Sequence, residues 1–342
     1  MRDISSWELV KEFQIGWNLG NSLDAVSKNN FAGLKHEIAW GNPYTSKKMI
    51  DFVIHAGFQV IRYPITWYPH FLDTDSYMID PAWMARVKEL VDYTYHQKVY
   101  VILNIHHENW HYPCVDNYEK ASHILHCVWK QIADFFKDYD EHLIFEGLNE
   151  PRLINHPTEW IGGTKEARSI LNKLNAVFVQ TIRQSTGNNP KRHLMIPTHG
   201  ASVKKEAVEE LIVPDDKIIV STHAYVPTDF AIVKDGIAIF DLNQPHCTQP
   251  IDSCFALLKE TFIDKKIPVI MGEFGSVNRD NLSDRLIHLH YYLETAKKTG
   301  IPCIWWDNGY LSGEGELFGL LNRQTIQWAF PEIVDVLIKY KR

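Results

Sequence analysis

The stretch Tyr100-Val101-Ile102-Leu103-Asn104-Ile105 is mostly apolar and β-branched, and it turns polar in a single step at His106-His107-Glu108. Residues 120–137 follow with apolar side chains at helical spacing. A second apolar run, residues 143–148, then turns polar at Asn149-Glu150-Pro151. Short apolar runs separated by longer amphipathic stretches are the pattern of parallel strands joined by crossover helices.

Outward from this unit the alternation repeats. Further candidate strands are residues 14–18, 60–63, 194–197, 218–222, 269–272 and 303–306, which brings the count to eight. Helical patterns occupy residues 81–97, 165–185, 254–265, 282–299 and 331–341, with Pro81 and Pro331 in the first turn, where a missing donor is tolerated. Eight strands in 342 residues, with no Gly/Ser/Pro-rich linker or charge run, predict an α/β fold: a single (β/α)8 TIM barrel spanning residues 1–342, in preference to a two-domain open sheet. No GxGxxG follows a strand, so a dinucleotide-binding sheet has no support. A barrel carries its active site at the C-terminal ends of the strands.

Composition narrows the function. An apolar content of 45% with 12% aromatics excludes a disordered chain. Thirty-five Lys+Arg against 42 Asp+Glu give a net charge of −7, which supplies no basic field for nucleic acid. No apolar run approaches the ~20 residues of a membrane span, and the first residues hold no apolar signal core. An exported protein whose signal peptide is absent from this chain is the expectation, with a cytoplasmic one as alternative. A monomer is expected. The five cysteines follow no CxxC or disulfide framework and are read as mostly free, with Cys247 and Cys254 near enough in sequence to bridge.

The eight strand ends read Trp17-Asn18-Leu19-Gly20-Asn21, Arg62-Tyr63-Pro64, His106-His107-Glu108, Asn149-Glu150-Pro151, Thr198-His199-Gly200, His223-Ala224-Tyr225, Glu273-Phe274-Gly275 and Trp306-Asp307-Asn308. Each has an ordinary structural explanation when taken alone: Asn149-Glu150-Pro151 as a helix start, His223 as a core histidine, Glu273 as a capping carboxylate, Arg62 as a partner for any acid. Together on one rim they read as one site, because a rim selected only for stability would carry turn residues.

Two carboxylates, an arginine, several histidines, a tyrosine and aromatic faces suit glycosidic bond cleavage. One carboxylic acid protonates the leaving oxygen while a second carboxylate attacks the anomeric carbon or activates water. Glu150 after the fourth strand and Glu273 after the seventh face each other across a barrel mouth, a placement compatible with the ~5 Å separation of a retaining pair. Arg62 is expected to hold one of them ionised, while burial and the neighbouring anion raise the pKa of the other. Tyr225 can donate to the nucleophile, Asn149 can bind a sugar hydroxyl, and Trp306 offers a flat face to a sugar ring. His107-Glu108-Asn109-Trp110-His111 matches the zinc-peptidase pattern H-E-x-x-H, but that motif works on a helix. Here it follows a strand, and Pro113 stops a helix from running through it. No metal and no cofactor are expected.

At these residues the chain resembles glycoside hydrolase family 5, a large cellulase family of (β/α)8 barrels, over nearly its whole length. Asn149-Glu150-Pro151 is similar to the family's acid/base motif and Met271-Gly272-Glu273-Phe274-Gly275 to its nucleophile motif. His223-Ala224-Tyr225 resembles its His-x-Tyr. The resemblance implies a retaining mechanism through a covalent glycosyl-enzyme, with Glu150 as acid/base and Glu273 as nucleophile. It also implies substrate-binding positions at Asn18, Trp40, Arg62, His106, His107, Asn149, His223, Tyr225 and Trp306, with Trp305 packed on the opposite face. Trp17 to Ala25 and Ala39-Trp40-Gly41-Asn42-Pro43 resemble the subfamily 4 endoglucanases, which implies β-1,4-glucan backbones as substrate and a β-glucan poly- or oligosaccharide as the only partner. Trp67, Trp110 and His111 are candidates for sugar contact or for packing. Trp7, Trp83, Trp129 and Trp328 are assigned to the core. The rival readings are an endo-mannanase or xylanase of the same family, and a catalytically silent polysaccharide-binding barrel.

Overall fold

The computed structural model describes residues 1–27 and 31–340. Eight strands, β1 (Gly16–Leu19), β2 (Val60–Tyr63), β3 (Tyr100–Asn104), β4 (Leu143–Glu146), β5 (Leu194–Pro197), β6 (Ile218–His223), β7 (Val269–Phe274) and β8 (Cys303–Asp307), form a closed barrel in chain order. Every neighbouring pair is parallel, and β8 closes on β1 through Asn18 opposite Trp306. The helices are α1 (Ser6–Val10), α2 (Lys47–Ala56), α3 (Pro81–Tyr95), α4 (Tyr118–Phe135), α5 (Lys165–Arg183), α6 (Lys205–Glu209), α7 (Thr228–Ala231), α8 (Pro245–Thr261), α9 (Leu282–Thr299) and α10 (Pro331–Lys339). The expected barrel is therefore the fold. Strand positions match the sequence reading to within one or two residues at each end.

Alternation along the strands sorts the barrel into layers. Ile102, Ile144, Met195, Ile219, Ile270 and Ile304 point inward and fill the middle. The residues one step away, such as Trp17, Ile61, Val101, Leu103, Phe145 and Trp305, pack outward against the helices. Trp305 does so with its Nε1 donating to the Phe318 carbonyl at 3.2 Å. The N-terminal mouth is plugged by α1, whose Leu9 and Val10, with Phe13, join Val60 and Tyr100 in the inner cluster. A capping box starts that short helix, Ser5 and Glu8 exchanging hydrogen bonds.

Some local readings change. The helix expected at residues 254–265 begins at Pro245 and carries Pro250 inside it. Two prolines within six residues hide a helical pattern from propensity, while Pro245 at the helix start is harmless. Cys247 and Cys254 lie on this helix and are unbridged: seven residues along a helix separate them by about 10 Å, beyond the reach of a disulfide. Trp83 and Trp129 are core as read, and Trp328 packs half-buried on Phe52 and Phe58. Trp7 is also half-buried, with the Lys11 ammonium over its ring, and lies outside the apolar clusters of the core. Lys341, the last residue of the helix expected at 331–341, lies outside the described residues. No helix among the described residues is long and apolar enough to cross a membrane.

Candidate active site

Two residues above the inner aliphatic layer, toward the strand C-termini, the same inward-facing parity brings a polar layer: Asn18, Arg62, Asn104, Glu146 and Ser221. Arg62 is at its centre, with no exposed surface. Its Nε donates to Glu146 Oε2 at 2.7 Å, Nη1 to Glu273 Oε1 at 2.8 Å and to Asn18 Oδ1 at 2.9 Å, and Nη2 to Asn149 Oδ1 at 2.6 Å. A buried guanidinium is tolerable only when its donors are taken up and its charge is matched, and two carboxylates do both. Glu146 is held in turn by Asn104 Nδ2 at 3.1 Å and Ser221 Oγ at 2.5 Å.

Glu273 reaches this layer through an irregularity. Along β7, Ile270 faces in and Met271 faces out, so strict alternation would turn residue 273 outward. The register of β7 against β8 shifts between Met271 and Phe274, and Phe274 instead packs outside on Tyr292 and Trp305. The bulge re-aims the Glu273 carboxylate into the mouth. There Oε1 meets Arg62, and Oε2 accepts from the Tyr225 hydroxyl at 2.9 Å. Burial, and then the Glu273 charge, push the Tyr225 phenol well above its ordinary range, so it remains a donor.

Glu150 stands across the mouth in the loop after β4. Its Oε1 accepts from His223 Nδ1 at 2.7 Å, and the same nitrogen lies 3.6 Å from Glu273 Oε2. Carboxylate oxygens of Glu150 and Glu273 come within 4.8 Å of each other. Arg152 Nη1 is 3.5 Å from Glu150 Oε2. Burial works to raise the Glu150 carboxyl, but the His223 hydrogen bond and the positive charge of Arg152 outweigh it and hold the group below the usual carboxylate range. The expected upward shift is therefore reversed: the sequence located the neighbouring anion but not the donor and the cation on the other side.

The other expected residues divide by depth. Trp306 lies flat at the mouth, 8% exposed, parallel to the His106 ring, and a side chain at Gly20 would collide with it at 2.8 Å. His106 is buried and held neutral by that burial. His107, with 45% of its side chain exposed, meets Trp40, whose carbonyl is anchored by the Tyr310 hydroxyl. Asn149 is brought to the same mouth, with its amide oxygen taken by Arg62. Asn18 and Arg62 are corrected: both are fully buried, their polar atoms engaged within the protein, so they hold the carboxylates from beneath and are closed to a ligand. Trp67, Trp110 and His111 are also buried packing residues.

Glu146 and Asn104 escaped the sequence reading because attention stopped at the strand ends. Their signal was parity: each is two residues beyond an inward-facing isoleucine. The H-E-x-x-H stretch is irregular loop, and Glu108 is consumed there by the Trp67 and Tyr68 amides and the Trp110 indole. Two other sets of three ligand-type groups converge among the described residues, Asp24 with His106 and His107, and Glu150 with His223 and Glu273. In the first, Asp24 is engaged by the Asn21 and Ser22 amides. In the second, Arg62, Tyr225 and His223 occupy the carboxylates. Carboxylates supplied with hydrogen-bond donors in this way are suited to nucleophilic and proton-transfer chemistry.

Comparison with known proteins agrees with this chemistry. The family described as cellulase (glycosyl hydrolase family 5) matches residues 21–312. Endoglucanase B of Ruminococcus albus is 48% identical over 340 residues, covering 98% of this chain and 81% of that protein. A subfamily 4 broad-specificity endoglucanase from Ruminococcus champanellensis, solved with bound cellotriose, superposes with a TM-score of 0.95 at 42% identity and 99% coverage of both chains. A family 5 lichenase from Caldicellulosiruptor sp. F32, a mutant in complex with cellotetraose, gives a TM-score of 0.94 at 38% identity, covering 100% of this chain and 96% of that one.

Proposed function

This chain belongs to glycoside hydrolase family 5, and from that premise we propose that it is a retaining endo-β-1,4-glucanase in which Glu273 is the nucleophile and Glu150 the acid/base. The observation that carries the reading is the pair itself: two carboxylates with oxygens within 4.8 Å of each other, one held by Arg62 and Tyr225, the other by His223 and Arg152. That gap is nearer the ~5–5.5 Å of retaining enzymes than the ~6.5–9.5 Å that leaves room for an attacking water. Glu273, held by hydrogen bonds from Arg62 and Tyr225, attacks the anomeric carbon. Glu150 protonates the departing oxygen and later deprotonates the water that releases the sugar. Trp306 supports the ring being cut, and Asn149, His106, His107 and Trp40 line the cleft around it.

Relatives that bind cellotriose and cellotetraose favour a glucan over mannan or xylan. Both carboxylates are in place, which disfavours a silent binding barrel. The test is reducing-end release on mixed-linkage glucan, xyloglucan, carboxymethyl cellulose, xylan and mannan. Cleavage of at least one glucan is expected. Cleavage of mannan or xylan alone would overturn the substrate class.

The His223 contact yields a pH prediction. A donor that stabilises the charged carboxylate lowers its pKa, so His223→Phe removes the lowering while burial still pushes Glu150 upward. Cleavage of an unactivated glucan requires protonated Glu150. The alkaline limb of kcat/KM should therefore move to higher pH in the variant. A limb that stays put or moves down would contradict the role of Glu150 or of its partner.

A further inference from the structure

The stretch Ala39-Trp40-Gly41-Asn42-Pro43 lies in the loop between β1 and α2. Trp40 is half-buried at the cleft, and an indole carried by a loop must be held in place to serve as a surface for sugar. Asn42, two residues on, is 6% exposed, and its side-chain donors are spent on backbone carbonyls. Resting on the reading of Trp40 and Trp306 as sugar contacts, we propose that Asn42 is a positioning residue. Together with Tyr310 it latches the Trp40 loop to the loop after β8, so that Trp40 and Trp306 meet the retained sugars of the glucan as one fixed surface.

The latch sits where the barrel closes. β8 pairs with β1, and just past the end of β1 the Gly20 amide still donates to the Asp307 carbonyl at 3.0 Å. One residue further along each chain a side chain takes over: Asn42 Nδ2 donates to the Asn21 carbonyl and to the Asn308 carbonyl, each at 2.9 Å. A primary amide carries two N–H groups on one nitrogen, so a single side chain can bridge two carbonyls. A second bond runs the other way, from the Tyr310 hydroxyl to the Trp40 carbonyl at 2.6 Å. The two loops thus hold each other at two points. Gly309, between Asn308 and Tyr310, takes φ of +75°, and a side chain there would lie 2.2 Å from Asn42 Oδ1, so this approach admits only glycine. The Trp40 ring is fixed in turn by its Nε1, which donates to the Val26 carbonyl at 2.9 Å.

β8 stands four strands from β4 in the closed barrel, across the mouth from the loop that carries the acid. The acid protonates the departing half of the substrate, so the seam between β1 and β8 flanks the half that stays on the enzyme. Trp306 is on a strand and is held by the ladder with β1, whereas Trp40 is on a loop and depends on the latch. A ring fixed before the ligand arrives lowers the ordering cost of binding. Arg323 ties the same seam, Nη1 to the Gly20 carbonyl at 2.7 Å and Nη2 to the Asp307 carbonyl at 2.6 Å, so loss of Asn42 frees the loop without opening the barrel.

The experiment is steady-state kinetics of the full chain on cellohexaose and on β-cellotriosyl fluoride, whose rings occupy only the retained side. Asn42→Ala should raise KM on both substrates on the order of ten-fold with kcat within about two-fold of wild type, and Asn42→Ser, which keeps one donor, should recover part of the loss. The effect should run through Trp40. Trp40→Ala raises KM as well, and adding Asn42→Ala to it should change KM by less than about two-fold, whereas independent effects would multiply. Tyr310→Phe removes the second bond without touching Asn42 and should raise KM in the same way to a smaller extent, which keeps the test decisive if the Asn42 variants fail to fold. A fall in kcat at unchanged KM would assign Asn42 to general support of the fold and overturn the proposal. Multiplied losses in the double variant, or a wild-type KM in Asn42→Ala or Tyr310→Phe, would overturn it too. A wild-type chain that cleaves neither substrate would overturn the functional reading and this latch with it, whereas an active wild type with unaltered variants would overturn the latch alone.

Discussion

Glu273→Gln should reduce turnover on β-glucan on the order of 10⁴-fold or more while the protein still folds and binds cello-oligosaccharides. The carboxylate accepts two hydrogen bonds, one from Arg62 and one from Tyr225. A glutamine of nearly equal volume can keep its oxygen on Arg62 and turn its amide to Tyr225, whose hydroxyl also accepts. Arg62 keeps Glu146 as a counter-charge, so the substitution does not strand a buried cation. What the amide lacks is the negative charge and lone pair that attack the anomeric carbon. Reducing-end release measures the loss, and calorimetric titration with cellotetraose measures the retained binding. Activity within about ten-fold of wild type on an unactivated polymer would remove Glu273 from the nucleophile role.

That Arg62 reaches both Glu146 and Glu273 explains how much of the site was legible. The barrel was readable because its strands are apolar on both faces and repeat at regular intervals, a signal that survives errors of a residue or two at each end. The rim residues were readable because polar chemistry directly after an apolar strand has few structural explanations. The layer beneath was harder. Asn18 and Arg62 were recognised as polar but placed at the ligand surface, since sequence reports parity and not depth. Glu146 lies inside a strand, where a charged residue looks like noise unless the inward parity is followed from Ile144. The aim of Glu273 depended on a bulge, and nothing in a period-two reading of Val269 to Phe274 announces one.

Glu150→Ala should separate the two halves of the reaction in a way that Glu273→Gln cannot. On polymers, whose leaving sugar is a poor leaving group, loss of the proton donor should cost roughly 10²–10⁴-fold. An aryl cellobioside with a strongly acidic phenol needs no protonation, so its first step should be nearly unaffected. The second step still needs a base to activate water, and that base is gone. The glycosyl-enzyme should therefore accumulate, seen as a burst of phenol equal to the enzyme concentration followed by a slow steady state. Azide, a nucleophile that needs no deprotonation, should accelerate that slow phase and leave a glycosyl azide. The geometry makes this test clean: with Glu150 truncated, Arg152 retains Glu159, and Glu273 keeps both of its donors. The nucleophile thus keeps its direct hydrogen-bond donors while the acid is removed. Equal losses on polymer and aryl substrate, with no burst, would place the proton donor elsewhere; the burst together with azide rescue assigns both steps to Glu150.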